Sequence, residues 1–141
     1  MPASNRTPDS GASFTVERTF TLDDVEQFAD VSGDTQPRHD PDSDGPVLVH
    51  GLLTATLPTQ IGGDLEVLAR TMTFEFRRPV YAGDTLRCTW TTETIEERAD
   101  RYDIEASVVC DRVDADTRET VLSGSVEGLI WKDDADAAGD E

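Results

Sequence analysis

The chain carries two histidines, His39 and His50, and an aspartate, Asp34, stands five residues before the first of them. A carboxylate and an imidazole presented from one short loop, Ser32-Gly33-Asp34-Thr35-Gln36-Pro37-Arg38-His39, can grip a single water between them. One accepts a proton from that water and the other can deliver one, provided both lie within hydrogen-bond reach. The same residues also admit a purely structural reading, with Asp34 as an Asx-turn residue behind a helix cap and His39 as an ordinary loop residue. The second feature is His50-Gly51. A glycine at the start of a helix lets a ligand approach bare backbone N–H groups, which the helix dipole makes good anion binders. Such a donor can hold a carbonyl oxygen as it gains negative charge. The alternative is a glycine required for tight packing. His50 is expected to orient that turn rather than to act as a second catalyst.

These groups need elements to hold them. Phe14–Phe20 suits a first short strand, and Thr21 then suits a helix N-cap, with Asp23, Asp24 and Glu26 in the first turn where the helix dipole favours negative charge. Leu22, Val25, Phe28 and Ala29 recur at helical spacing, and Gly33 supplies a left-handed residue to end the helix. Asp34 to Pro46 is rich in Asp, Pro, Gly and Ser and is expected to be a loop. Val47–Ile61 is too apolar all round to lie on a surface, which predicts a helix buried inside a sheet and closed by Gly62-Gly63, with Pro58 kinking it or ending it early. Four period-two sets follow: Met72/Phe74/Phe76, Leu86/Cys88/Trp90, Tyr102 to Cys110, and Val121–Trp131. Turn signals separate them at Ala82-Gly83-Asp84, Ala99-Asp100 and Asp114–Asp116. Helix, buried helix and antiparallel meander make an α+β domain, a sheet wrapped around one central helix. Such a sheet leaves edge strands exposed, and pairing them in a dimer is a common remedy.

A length of 141 residues suits one domain and leaves no room for two full cores. Met1–Ala12 and Asp133–Glu141 lack periodicity and are expected to be mobile tails flanking a single domain over 13–132. Thirty acidic residues against twelve basic ones leave a net charge of −18, a surface that repels nucleic-acid phosphates and anionic lipid. No apolar run approaches the twenty or so residues of a membrane helix, so a soluble cytoplasmic domain is expected. Eleven of the twelve basic residues are Arg, and Asp outnumbers Glu by 19 to 11, the surface of a protein that keeps its hydration in a halophilic cytoplasm. Cys88 and Cys110, without a CxxC or a neighbouring His, suit small buried apolar positions. Glu93, Glu96 and Glu97 with Arg98 and Asp100 suit a solvated loop.

Three segments in order, Gly33-Asp34-Thr35-Gln36-Pro37-Arg38-His39, Val49-His50-Gly51-Leu52-Leu53 and Arg78-Pro79-Val80-Tyr81-Ala82-Gly83-Asp84, resemble the MaoC-like, R-specific enoyl-CoA hydratases over roughly Phe20 to Trp131. That resemblance implies the hot-dog fold, an antiparallel sheet wrapped around a central helix. It implies Asp34 and His39 as the catalytic pair, Gly51 as a backbone oxyanion donor, and Thr56 at a position where the family often has a serine near the site. The reaction implied is reversible addition of water across the C2=C3 bond of a trans-2-enoyl thioester, with no metal and no cofactor. The substrate is an acyl-coenzyme A, and the chain is expected to act as a homodimer. Which of Asp34 and His39 is acid and which base stays open. Two departures from the family pattern stand out: Gln36 in place of the usual Asn, and a shorter stretch between His39 and His50.

Coenzyme A is a polyanion, so local cations are needed on so acidic a protein. Arg70, Arg77 and Arg78 form the densest basic group, and Arg77 and Arg78 are the candidates for phosphate contacts, with ordinary surface charge balance as the alternative. Two further functions fit the same fold. A hot-dog thioesterase would want a carboxylate on the central helix, and Val49–Ile61 has none. A catalytically silent module that binds acyl-CoA or a partner subunit is the other, against which the presence of both Asp34 and His39 counts.

Overall fold

A computed structural model describes residues 9–132. The elements run β1 (Ser13–Thr19), α1 (Leu22–Ser32), a single 3-10 turn (Pro37–His39), α2 (Gly51–Thr54), α3 (Thr56–Asp64), β2 (Leu68–Phe76), β3 (Thr85–Glu97), β4 (Arg101–Val113) and β5 (Arg118–Trp131). The five strands form one sheet in the order β1-β3-β4-β5-β2, every pairing antiparallel. The strand that follows the helices therefore crosses to the far edge, and the long β3–β4–β5 meander sits between the two edges. Alternate residues of β3, Leu86, Cys88 and Trp90, are fully buried and face the helices, the period-two pattern expected of a sheet with one covered face.

Helix α1 begins as its sequence dictates. The Thr21 hydroxyl accepts from the Asp24 amide at 3.1 Å and the Asp24 carboxylate accepts from the Thr21 amide at 3.0 Å, a reciprocal capping box. Gly33 ends it in the left-handed region at φ 79°, its amide reaching the Ala29 carbonyl.

The central helix departs from expectation at its two ends, while the break expected from Pro58 is present. Val47–Val49 is extended rather than helical: the Val49 amide donates to Val80 and the Ala82 amide to Val47, so this stretch pairs with the turn after β2. The helix proper starts at Gly51 and breaks at Ala55 into α2 and α3. Pro58 explains the position of the break, because its ring has no N–H and crowds the carbonyl four residues back, that of Thr54. The helix then runs through Gly62-Gly63 to Asp64. Gly62 packs against the Trp90 ring, where a Cβ would make ordinary van der Waals contact at 3.4 Å. Leu57, Pro58 and Ile61 complete the face buried against the sheet.

Two smaller expectations also change. Glu93, Glu96 and Glu97 lie within β3, where Ser107, Arg98 and Lys132 donate to their carboxylates. Cross-strand partners thus turn an apparent loop into a strand. The terminal tails lie largely outside the described residues, but Asp9–Ala12 is anchored: the Gly11 amide donates to Thr92 and the Thr92 amide to Ala12. Cys88 and Cys110 stand opposite each other across β3 and β4, both buried and free. Among the described residues no helix is long and apolar enough to cross a membrane.

Candidate active site

The segments after α1 and before α2 meet because their backbones pair. The Leu48 amide donates to the Arg38 carbonyl at 2.8 Å, and the His39 ring Nδ1 donates to the Leu48 carbonyl at 2.6 Å. A histidine that donates from Nδ1 leaves Nε2 as its acceptor when neutral. That Nε2 lies 3.6 Å from Asp34 Oδ2. The Asp34 carboxylate divides its work: Oδ1 accepts from the Gln36 side-chain amide at 2.9 Å and from the Gln36 backbone at 3.4 Å, while Oδ2 faces the histidine. One oxygen thus closes the Asx-type turn and the other is left facing the ring of His39. Gln36, the departure from the usual Asn, is long enough to reach the carboxylate and hold it.

The Gln36 amide is the main reason that the Asp34 carboxyl is held below the usual carboxylate range, with His39 and His50 adding a smaller electrostatic share. Asp34 is thus ionised near neutrality. His50 packs beside the pair, its Nε2–H donating to the Asp34 backbone carbonyl at 2.9 Å. Its ring stacks on His39, centroids 3.6 Å apart and planes 15° from parallel.

These groups border a cleft of about 660 Å³. Asp34, His50 and Gly51 form part of its wall, Arg77 and Arg78 another part, and Phe28, Val49, Leu52, Phe76, Val80 and Val121 make most of the remainder apolar. His39 is 5% exposed and sits behind Asp34 and His50 rather than on the lining. Gly51 opens α2, so its N–H belongs to the first turn, where no intrahelical acceptor exists. No other residue fits there without displacement, because a Cβ would come within 2.8 Å of the Phe76 ring.

The sequence-derived set is brought together with one exception. Thr56 does not line the cleft, and its hydroxyl donates to the Leu53 carbonyl at 2.6 Å. Thr54 lines the cleft instead, buried at 2% exposure. Two positions along a helix turn a side chain by about 200°, which puts Thr54 and Thr56 on opposing faces. Arg77 is held by Glu75 at 2.9 Å and Ser123 at 2.7 Å, and Arg78 by Glu119 at 3.4 Å. Arg70 pairs with Asp103 and does not line the cleft.

Ligand atoms of Asp34, His39 and His50 lie within 4.8 Å of one another, which raises the question of a metal. Two imidazoles stacked nearly parallel direct their in-plane lone pairs along separate planes rather than to one point. The set therefore suits proton transfer better than shared coordination.

No match was found among curated proteins. A solved Archaeoglobus fulgidus protein is similar at 30% identity and TM-score 0.74, over 89% of this chain and 81% of that one. The R-hydratase PhaJ1 of Pseudomonas aeruginosa is similar at 20% identity and TM-score 0.70, over 88% and 82%. The (R)-hydratase of A. caviae involved in PHA biosynthesis follows at 18% and 0.71, over 89% and 98%. The arrangement of a sheet around a central helix is thus the hot-dog fold, named as such in a Mycobacterium tuberculosis neighbour with a double copy. Residues 3–113 match the family described as MaoC like domain, and the chain belongs to that family.

Proposed function

We propose that this protein is a cofactor-free hydro-lyase that reversibly adds water across the C2=C3 bond of a trans-2-enoyl-CoA to give the (R)-3-hydroxyacyl-CoA. The observation that carries the reading is that an ionised Asp34 lines an apolar cleft and lies 3.6 Å from the free nitrogen of His39 behind it. Groups that far apart can each lie about 2.8 Å from one shared water oxygen. In hydration the water oxygen bonds to C3 and its proton passes to the Asp34–His39 pair. The π electrons of C2=C3 shift toward the thioester oxygen, which the Gly51 N–H receives as it gains charge. The enolate then takes a proton at C2 from the pair, so the pair ends as it began. We assign the proton to the pair as one coupled unit.

We assign the apolar wall to the acyl chain, and Arg77 and Arg78, which line the same cleft, to the coenzyme A phosphates. Their glutamate partners would have to yield. Strand β2 is an unpaired edge with Leu68, Met72 and Phe76 at 57, 42 and 53% exposure, and Leu52 in the cleft wall is also exposed. We assign that edge to a second copy in a homodimer, since exposed apolar edges are otherwise an aggregation hazard. Light scattering on purified protein tests the dimer.

The alternative, a silent acyl-CoA-binding module, is favoured by one observation: His39 is 5% exposed and does not line the cleft. Loss of enoyl-thioester absorbance with crotonyl-CoA and longer or branched enoyl-CoAs in molar KCl, in wild type and Asp34→Asn, decides between them. Activity in wild type alone supports the hydro-lyase. Inactive, well-folded wild type supports the module.

A further inference from the structure

The two stacked histidines are made unequal by what their second nitrogens meet. His39 has a carbonyl on Nδ1 and a carboxylate 3.6 Å from Nε2. His50 has the Asp34 carbonyl on Nε2, and its buried Nδ1 has no partner among the described residues. Phe28 closes the other side of the His50 ring edge-on, centroids 4.9 Å apart.

We infer that His50 is a positioning residue that stays neutral through the reaction, a single ring that fixes both the Asp34 main chain and the plane of His39 and leaves the mobile proton to His39 Nε2. A proton on His50 Nδ1 would create a buried cationic donor with nothing to receive it. That costs far more than leaving a neutral acceptor lone pair unmatched. The same proton on His39 faces a carboxylate. Two imidazolium rings stacked at 3.6 Å would also repel. Asp34 is close to both rings, but its Oδ2 faces His39 Nε2 and no acceptor among the described residues meets His50 Nδ1. Arg77 and Arg78 add positive charge on the cleft wall, and Phe28, Ser32 and Thr54 add none. Arg38, beside His39 in sequence, is exposed. Because His50 touches both members of the pair, displacing it moves both.

The kinetic part of this inference rests on the hydro-lyase reading, whereas the spectroscopic part does not. With two histidines in the chain, the imidazole 15N spectrum of the full-length protein contains two side chains, told apart by His50→Gln. The expected spectrum has His39 as the Nδ1–H tautomer and His50 as the Nε2–H tautomer. His50→Gln retains an amide N–H for the Asp34 carbonyl but removes the ring, and His50→Phe retains the ring but removes the donor. Each is expected to lower kcat about 10–100-fold with KM within about twofold, the scale of a misplaced reacting group. The His39 signals should move in both.

A spectrum in which His50 carries a proton on Nδ1 overturns the inference. So do folded variants with wild-type kcat and unmoved His39 signals. If His50→Phe does not fold, His50→Gln and the wild-type spectrum still decide. A wild type inactive on every enoyl-CoA would sink the hydro-lyase reading and leave the spectrum to judge the stack.

Discussion

The interior of the sheet and the wall of the cleft each hold a pair of buried residues of one reactive type, and the two pairs are built to opposite ends. Cys88 and Cys110 face each other across β3 and β4 at 0% exposure, walled by apolar neighbours. Their mutual contact, then burial, pushes the Cys110 thiol far above its ordinary range, so it is no nucleophile. Nearby, the Trp90 indole N–H donates to the Thr92 hydroxyl at 3.0 Å, so the large polar-tipped side chain of that core is satisfied. His39 and His50 are nearly as buried but lie against a carboxylate and a cleft, with one ring nitrogen free to accept and another unpartnered. Burial alone does not separate inert from reactive groups. What separates them is whether the surroundings finish the hydrogen bonding or leave it open on the side a substrate can reach.

The sharpest way to test that contrast is a substitution in each region. Asp34→Asn keeps the size of the side chain and its contact with Gln36 but removes the charge facing His39. Turnover of an enoyl-CoA is expected to fall about 10²–10⁴-fold while the thermal unfolding midpoint stays near that of wild type. Leu86→Ala, at a fully buried position of β3, should do the reverse. Unfolding by urea should show a loss of about 3 kcal/mol, with kcat per folded molecule preserved at temperatures where the variant is folded. A large loss of stability in Asp34→Asn would mean that the cleft wall is structural after all.

This division also explains which parts of the molecule could be read from the sequence. The strands were legible because one face of the sheet is covered, so Leu86, Cys88 and Trp90 alternate with Arg87 and Thr89 and the periodicity is explicit. Helix α1 was legible from its ends, Thr21 and Gly33, since caps are local chemistry. The central helix was harder. Its open face carries apolar residues too, Leu52 among them, so no polar stripe phases it, and the extended Val47–Val49 reads from composition as its first turn. Asp34, His39 and Gly51 emerged because their spacing sits in ordered motifs. The stack of His50 on His39 did not, because it depends on Leu48 pairing with Arg38 across a loop, a contact that no sequence spacing encodes.

Between the two regions lies the helix that carries the site loop, and its cap gives a smaller and pH-dependent effect. Thr21→Ala should cost about 1 kcal/mol of stability. The Thr21 backbone amide is the largest cause holding the Asp24 carboxyl below its usual range, with Arg18 also contributing. A carboxyl lowered in the folded state contributes stability in full above its ordinary value, and that contribution is lost as pH falls through the lowered one. Asp24→Asn should therefore be less stable than wild type near neutrality, and the difference should close under acid as the wild-type carboxyl is protonated. Urea titrations at the two pH values measure it. A gap that persists unchanged in acid would assign the loss to packing instead of charge.

The smallest effect expected is at the mouth of the cleft. Arg77 and Arg78 are each more than half exposed and already paired with glutamates, so an incoming phosphate competes with a charge that is in place. Exposed ion pairs contribute little to stability, and Arg77→Gln or Arg78→Gln should leave the unfolding midpoint almost unmoved. For a coenzyme A thioester, KM should rise about threefold, the scale of one screened surface charge, with kcat unchanged. The same thioester truncated to its pantetheine arm carries no nucleotide phosphates, and its KM should not respond. The Debye length shrinks to about 3 Å in molar salt, so the difference between wild type and variant should fade as KCl is raised. Equal sensitivity of the full and truncated thioesters would place these arginines against the acyl or pantetheine part of the ligand, and the nucleotide would then need another cation. Arg38, exposed, one residue from His39 and without an ion pair among the described residues, is the side chain to substitute next.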